Sequence, residues 1–238
     1  MLVTSLLVAS ITSTLAQVAT QYTWSQAAGS YTAAGATGSN ALFADGWDDA
    51  QTVVPIGFTF TFDGVAYTQV VVSSNGFIVF GNALNANDDG DAYVAANDAS
   101  GLYLGGTATN NGVAAFNGDL IEQTFTSITG TRSTGSFNIT GVSSTANLRI
   151  GMRLSGTGIP SNAVITNIAG TTVTMSVVAT SNGTNTYTPR ANAVAVLSGS
   201  APNQTLTIQW TRLTRNTRSD DASFQIQLNE GGGTAANQ

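Results

Sequence analysis

The chain lacks three residue types that carry much of protein chemistry, because it contains no cysteine, no histidine and no lysine. These absences exclude thiol nucleophiles, serine–histidine–aspartate triads, histidine bases, lysine Schiff bases and nearly every zinc site. Disulfides are excluded too, so an exported chain must rely on its core for stability. Asp119 and Glu122 could be imagined as a glycosidase pair, but nothing in the sequence sets the required carboxylate separation. We therefore predict no catalytic residue and no enzymatic activity.

Charged residues are scarce, at 8 % of 238 residues, where ordinary globular domains carry about 25 %. The net charge is −6, and nucleic-acid binders need a basic surface to neutralise phosphates. The one local group of arginines, Arg212, Arg215 and Arg218, stands beside Asp220 and Asp221 and is expected to be a self-paired surface. Hydroxyl and amide residues replace the charges, which is common in extracellular β-proteins. The composition excludes a nucleic-acid partner and favours an extracellular protein.

The first residues, MLVTSLLVASITSTLAQ, are apolar from Leu2 to Leu15 and end in the small-residue pattern Thr14-Leu15-Ala16. This pattern predicts a signal peptide over residues 1–16, although no Lys or Arg precedes the apolar run. The run is shorter than the roughly 20 residues of a membrane span. The alternative is a buried first strand or helix. The expected location is secreted or cell-surface, with no membrane span.

Period-two patterns dominate the rest of the chain and predict β-strands. Between Ile56 and Phe62 every second residue is apolar, and Asp63-Gly64 follows as a turn. The runs 67–74 and 77–80 flank Asn75-Gly76, which predicts a hairpin with a type I′ turn and positive φ at both residues. Similar alternation recurs near the end, at residues 206–211 and 224–228. The fold class is therefore predicted as all-β, an antiparallel, jelly-roll-like β-sandwich with Phe58 and Phe60 buried.

A segment of different texture interrupts this pattern. In GSFNITGVSSTANLRIGMRLSGTGIPSNAVITNIAGTTVTMSVVAT the only aromatic residue is Phe137, and short aliphatic runs alternate with turns. We predict an inserted small β subdomain over residues 125–190, between two parts of the sandwich at 17–124 and 191–238. The strands at 113–120 and 194–210 should then share one sheet system. The expected core of the insert is Ile139, Leu148, Ile159, Ile165, Val173 and Met175.

The stretch NANDDGDAY offers a candidate metal site. Its oxygen-bearing side chains alternate around a glycine, which is the spacing of an acidic calcium loop, but Ala96 stands where such a loop has its bidentate Glu. The alternative is a polar, solvated hairpin loop. No other cofactor is expected. The candidate calcium ligands are Asn85, Asn87, Asp89 and Asp91.

A second candidate site is FADGWDDA, where Trp47 stands between acidic residues. Trp47 could stack on a sugar ring while Asp48 and Asp49 accept its hydroxyl protons. The alternative is a core tryptophan beside acids that cap a turn.

Two blocks of the chain, 48–120 and 197–230, carry a family resemblance. The segments DDAQTVVPIGFTFTFDGVAYTQVVVSSNGFIVFG, AAFNGDL, LSGSAPNQTLTIQWTRL and FQIQLNE resemble, in this order, the N-terminal β-domain of large secreted proteins of Bacteroidota. Those proteins often carry fibronectin type III repeats and a C-terminal sorting domain. The insert is similar to β-repeats of bacterial surface and phage tail proteins, through GMRLSGTGIPSNAVITNIAGTTVTMS. In this chain the last strand of the resembling domain is expected to be cut short.

The resemblance and the composition imply a non-enzymatic extracellular structural or adhesion module. Its expected partners are extracellular surfaces, glycans, or other copies or domains of the same surface protein. One alternative is a glycan-binding module attached to a secreted hydrolase, which would need exposed aromatic residues among Trp24, Trp47, Tyr93 and Tyr103. Another alternative is a phage or virion surface protein.

Overall fold

A computed structural model describes residues 27–28, 31–82, 112–116 and 118–231. All strands in these ranges pair antiparallel, and the described residues contain no helix. The predicted all-β fold class is confirmed. The predicted signal peptide and all four candidate calcium ligands lie outside the described residues.

Two sheets form a sandwich around one hydrophobic core. The first has the order β1-β2-β3-β4, and its strands are β1 (Gln51–Phe62), β2 (Val65–Ser73), β3 (Phe77–Phe80) and β4 (Gly112–Ala114). The second places β13 between β12 and β14, with β5 paired to the end of β13. Its strands are β5 (Leu120–Ile121), β12 (Asn192–Ser198), β13 (Thr205–Arg215) and β14 (Ala222–Asn229).

The alternation in β1 produces the predicted inward face. Ile56 and Phe58 are buried, and Thr59 between the aromatic residues faces solvent. Phe60 is half-buried and stacks on Phe80 with ring centroids 5.3 Å apart. Removing these rings from water is the main contribution of β1 to the stability of the sandwich.

The two predicted turns have different outcomes. At the first, Asp63 and Gly64 have φ values of 49° and 74°, as a two-residue I′ turn requires. The hairpin around Asn75-Gly76 also forms, but the type I′ prediction is wrong there. Val72 pairs with Ile78, and only Gly76 of the two turn residues has a positive φ, 85°. A longer loop forms because the side chain of Asn75 is buried and bonded outside the hairpin.

The third sheet lies entirely within the predicted insert and has the order β8-β11-β6-β7-β10-β9. It has its own hydrophobic cluster, which includes all six of the expected insert core residues. Its strands are β6 (Ile128–Arg132), β7 (Asn138–Thr140), β8 (Arg153–Gly156), β9 (Ile165–Ala169), β10 (Thr172–Met175) and β11 (Gly183–Arg190).

The two ends of this segment run side by side. The amide of Phe125 donates to the carbonyl of Pro189 at 2.9 Å, and the amide of Ala191 donates to the carbonyl of Gln123 at 2.8 Å. The chain therefore leaves the sandwich and returns to it at one place, which is the geometry that an insertion needs. The domain boundaries themselves stay a prediction.

One predicted strand relation is wrong in part. Leu120 pairs with β13, as expected, but Val113 lies in β4 and pairs with Ile78 of the first sheet. The chain changes sheets between the end of β4 at Ala114 and the start of β5 at Leu120. This crossing follows the buried turn at Asn75, because the amides of Ala115 and Phe116 donate to the carbonyl of Gly76 at 3.1 and 3.2 Å.

Replacement of Asn75 by alanine should destabilise the fold by about 2–4 kcal/mol, because a buried donor left without a partner costs about 1–3 kcal/mol and more than one bond is lost. The side chain accepts the buried amide of Leu120 at 2.9 Å and donates to Asp49 at 3.3 Å. Urea unfolding followed by fluorescence measures the change. The matched control is Asn167→Ala on the exposed side of β9, which should change the free energy of unfolding by less than about 0.5 kcal/mol. Equal effects of the two variants would contradict the role of Asn75.

Candidate functional site

The loop 43–50 sends its side chains in three directions. Trp47 turns into the sandwich core, where it is 6 % exposed and lies 5.5 Å from the ring of Phe43. Its ring therefore offers no open face for a sugar. Asp48 and Asp49 point to the surface, and Asp45 points towards the insert.

Asp48 and Asp49 meet a third carboxylate, that of Asp119, and their oxygens lie within 4.8 Å of one another. The side-chain amide of Asn75 donates to Asp49 Oδ1 at 3.3 Å. Burial raises the pKa of Asp49, the bond from Asn75 opposes that rise, and the charges of Asp48 and Asp119 add to it. The hydrogen-bonded turn at Asn75 thus holds like charges together.

Such a group of oxygens could hold a hard cation such as calcium, which takes six to eight oxygen ligands. The sequence predicted Asp48 and Asp49 as possible sugar-binding residues. It gave no signal that Asp119, some seventy positions away, would lie beside them. The structure brings these three residues together, whereas Trp47 is directed elsewhere.

A charged network joins the insert to the sandwich next to this loop. Arg153 of β8 lies 2.6 Å from Asp45, and Arg190 of β11 lies 2.9 Å from Glu122. The side chain of Glu122 is only 3 % exposed, and it also accepts the amide of Gly46 at 2.8 Å. Glu122 therefore serves as a buried ion-pair partner, and this position does not fit a free acid or base of a glycosidase pair.

A cavity of about 540 Å³ opens between the insert and the sandwich, away from the acidic loop. Tyr31 and Ala33 contribute one wall, and the insert contributes another through residues 148–150 and Ile168. The third wall consists of Thr211 and Arg212 of β13 together with Asp221 and Ser223 at the start of β14. No local sequence motif marks this cavity, because its walls come from three distant parts of the chain.

The comparison with protein families decides the classification. The family model described as NIDO related matches residues 21–153 and 152–236. The chain belongs to the NIDO-related family. This is a nidogen-like family of extracellular modules that are typically non-catalytic, and no enzyme family matches the chain. Searches of the curated proteins and of the solved structures found no match. Across the described residues, no helix is suited to crossing a bilayer.

For this NIDO-related chain, Asp49→Asn should raise stability at neutral pH and leave it unchanged at pH 3. The pKa of Asp49 is higher in the folded chain than its ordinary value, so the folded chain binds this proton more tightly. Stability is therefore lost as the pH rises from the unfolded pKa, about 3.9, through the raised folded value. Asparagine keeps an oxygen for Asn75 and removes the charge.

The gain should stay below about 1 kcal/mol because the group is partly exposed and screened. Urea unfolding at pH 3 and pH 7 measures it, and the gain should shrink when Asp119 is already asparagine. A loss of stability at pH 7 would show that the carboxylates do not repel one another.

We also expect that no metal is needed for the fold. The melting temperature in EDTA should agree with that in millimolar calcium to within about 2 °C, since a ligand that binds weakly adds little to stability. Scanning calorimetry provides the test. A large rise with calcium would contradict the expectation. Its loss in Asp119→Asn would then place the ion in the three-carboxylate cluster, and its loss in Asp89→Ala would place it in the predicted calcium loop.

Proposed function

We propose that this NIDO-related chain is an adhesion or structural module of a secreted or cell-surface bacterial protein, of the kind found in Bacteroidota. In this proposal the sandwich is the scaffold and the insert makes the contact. The partner is an extracellular surface, a glycan, or another copy or domain of the same surface protein. The observation that carries the proposal is an uncharged hydroxyl face on the sheet of the insert.

This threonine face is built by the alternation of three neighbouring strands. In β6 the residues Ile128, Gly130 and Arg132 face inward, and the threonines between them face solvent. Thr131 pairs with Thr184 on one side and with Thr140 on the other. The five exposed threonines are Thr129, Thr131, Thr140, Thr184 and Thr186.

The face suits contact with another surface for two physical reasons. Its members are held by the sheet, with the hydroxyls of Thr131 and Thr184 only 2.7 Å apart, so little side-chain freedom is lost on contact. None of the five positions carries a charge that contact would have to strip of water. Charged residues are depleted at the centres of protein interfaces for the same reason.

The ion pairs that fix the insert to the sandwich also support a role in attachment. The ion pairs of Arg153 with Asp45 and of Arg190 with Glu122 connect it to the sandwich. Both members of the second pair are largely buried, where removal of one partner costs about 3–5 kcal/mol. A contact surface fixed in this way is held rigidly by the sandwich, as binding segments on rigid scaffolds often are.

Removal of residues 127–189, closed by a short Gly-Ser bridge, should leave a sandwich that unfolds cooperatively but no longer adheres. The cut keeps Arg190 with Glu122, and the hydrogen bond of Phe125 to Pro189 shows that the ends can be joined. Beads that carry the intact or the shortened chain are counted on bacterial cells and on immobilised glycans.

Two full-length variants complete the test. Thr131→Lys places a charge in the threonine face and should lower bead adhesion by about tenfold, and Thr59→Lys, on the exposed side of β1, should not. If intact beads do not adhere, or if Thr131→Lys and the shortened chain adhere as well as the intact one, the proposal is wrong. If the shortened chain does not fold, the comparison of Thr131→Lys with Thr59→Lys still tests the proposal.

A further inference from the structure

The cavity between the insert and the sandwich has the size and the lining of a small-molecule site. Its volume of about 540 Å³ falls within the range of roughly 300–1,000 Å³ for such sites. Aliphatic side chains, among them Leu148, Ile150 and Ile168, lie beside an aromatic ring and a few polar groups. This mixture of apolar wall and sparse polar groups is typical of ligand pockets.

We propose that this cavity binds a hexuronic acid unit of an extracellular glycan, with the sugar carboxylate on Arg149 and the pyranose ring against Tyr31. The proposal rests on the proposed function, since it names a glycan class that an extracellular module would bind in addition to the contact made by the threonine face.

Arg149 provides the anion-binding group. Its Nη1 donates to the carbonyls of Ala146 and Leu148 at 3.0 and 2.7 Å, which fixes the plane of the guanidinium. Its Nε and Nη2 have no partner among the described residues, and no described carboxylate pairs with it. The Nε–Nη2 edge is a two-donor fork that matches a carboxylate.

The rest of the local charge also favours an anion. Arg212 lines the cavity too, but its Nε and Nη2 both donate to Asp221 Oδ2, at 2.8 and 2.6 Å. Two guanidinium groups against one carboxylate leave a net of one positive charge at the cavity. A cationic ligand would be repelled there, and a neutral one would leave the fork of Arg149 unused.

Tyr31 and two hydroxyl-binding groups argue for a sugar over a simple organic acid. Tyr31 is 52 % exposed, so its ring can stack on the C–H face of a pyranose. The contact with Arg212 uses only Oδ2 of Asp221, so Oδ1 can accept a hydrogen bond from a sugar hydroxyl. Ser223 accepts the amide of Arg212 at 2.9 Å, which leaves its own hydroxyl proton to donate. A fatty or aromatic acid would leave both polar groups unmatched.

A bulge in β13 positions Arg212 and, through its hydrogen bonds, Asp221 and Ser223. The register between β13 and β14 shifts between Trp210 and Leu213, and Arg212 within the bulge has a φ of 57°. Such bulges redirect side chains beside functional sites. The guanidinium of Arg212 also lies 4.0 Å from the ring centre of Phe125. The site is therefore preorganised, which lowers the entropic cost of binding.

Calorimetric titration of the full chain tests the proposal, in EDTA so that metal bridging is excluded. The acidic probes are trigalacturonate, which contains galacturonic acid, and a hyaluronan tetrasaccharide, which contains glucuronic acid. Maltotriose is the neutral sugar, and hexanoate is the acid without a sugar. At least one acidic sugar should bind at least about tenfold more tightly than maltotriose and hexanoate, because a charge-assisted bond contributes roughly that factor.

Matched variants locate the site. Arg149→Gln and Tyr31→Ala should each weaken binding of the acidic sugar by about tenfold or more. Arg218→Gln removes the same charge at an exposed arginine outside the cavity and should change affinity by less than about twofold. All three side chains are exposed, so the melting temperatures should stay close to that of the unchanged chain.

Several results would overturn the assignment: no binding of either acidic sugar, equal binding of maltotriose or hexanoate, or an equal loss in Arg149→Gln and Arg218→Gln. The outcome is separable from that of the adhesion proposal. If the beads adhere through the insert but no acidic sugar binds, only the cavity assignment falls. If an acidic sugar binds through Arg149 while the beads do not adhere, the adhesion role falls and the cavity stands.

Discussion

A polar turn at the centre of the sandwich, residues 73–76, determines how its two sheets meet. Ser73, Ser74 and Asn75 are fully buried, and each hydrogen bond left unmade there would cost about 1–3 kcal/mol. The indole of Trp210 in β13 donates to the carbonyl of Ser73 at 3.0 Å, and the amide of Leu120 donates to Asn75. Both partners belong to the second sheet. The hydrogen bonds of the turn therefore also fix how the two sheets face each other and where the loop with the acidic cluster lies.

The junction of insert and sandwich follows the same rule, because buried polar side chains set its geometry. Gln209 of β13 is fully buried; its amide donates to the carbonyl of Ile150 at 3.2 Å, and its oxygen accepts the amide of Ala34 and the side chain of Gln225. Gly151 has a φ of 94°, and a Cβ there would clash with Gln209 Nε2, so glycine is required for this approach. Hydrophobic contact alone would allow the insert to slide against the sandwich, whereas these hydrogen bonds form in only one relative arrangement of the two. The cavity that opens at this junction has fixed walls for that reason.

Features that depend on neighbours in the sequence were predictable, and features that depend on distant partners were not. The inward face of β1, the Asp63-Gly64 turn and the aromatic-poor insert all follow from local patterns of residue type. The turn at Asn75 differs from its prediction because its side-chain partners lie in the loop before β1 and in β5. Likewise, no sequence pattern near Asp49 predicts that Asp119 lies beside it. The cavity had no sequence signal at all, since no pattern links Tyr31 to the insert.

Charged residues are scarce in this chain, so an arginine without an ion-pair partner stands out. Four of the seven basic residues, Arg153, Arg190, Arg212 and Arg215, make ion pairs with described carboxylates. A fifth, Arg132, is buried and donates to the neutral side chains of Asn185, Tyr187 and Ser181. Arg149 and Arg218 make no ion pair with a described carboxylate, and of these two only Arg149 lines the cavity. On a surface of hydroxyls and amides, an anion within a Debye length of about 8–10 Å meets few competing cations. Its attraction to the cavity is therefore decided largely by Arg149.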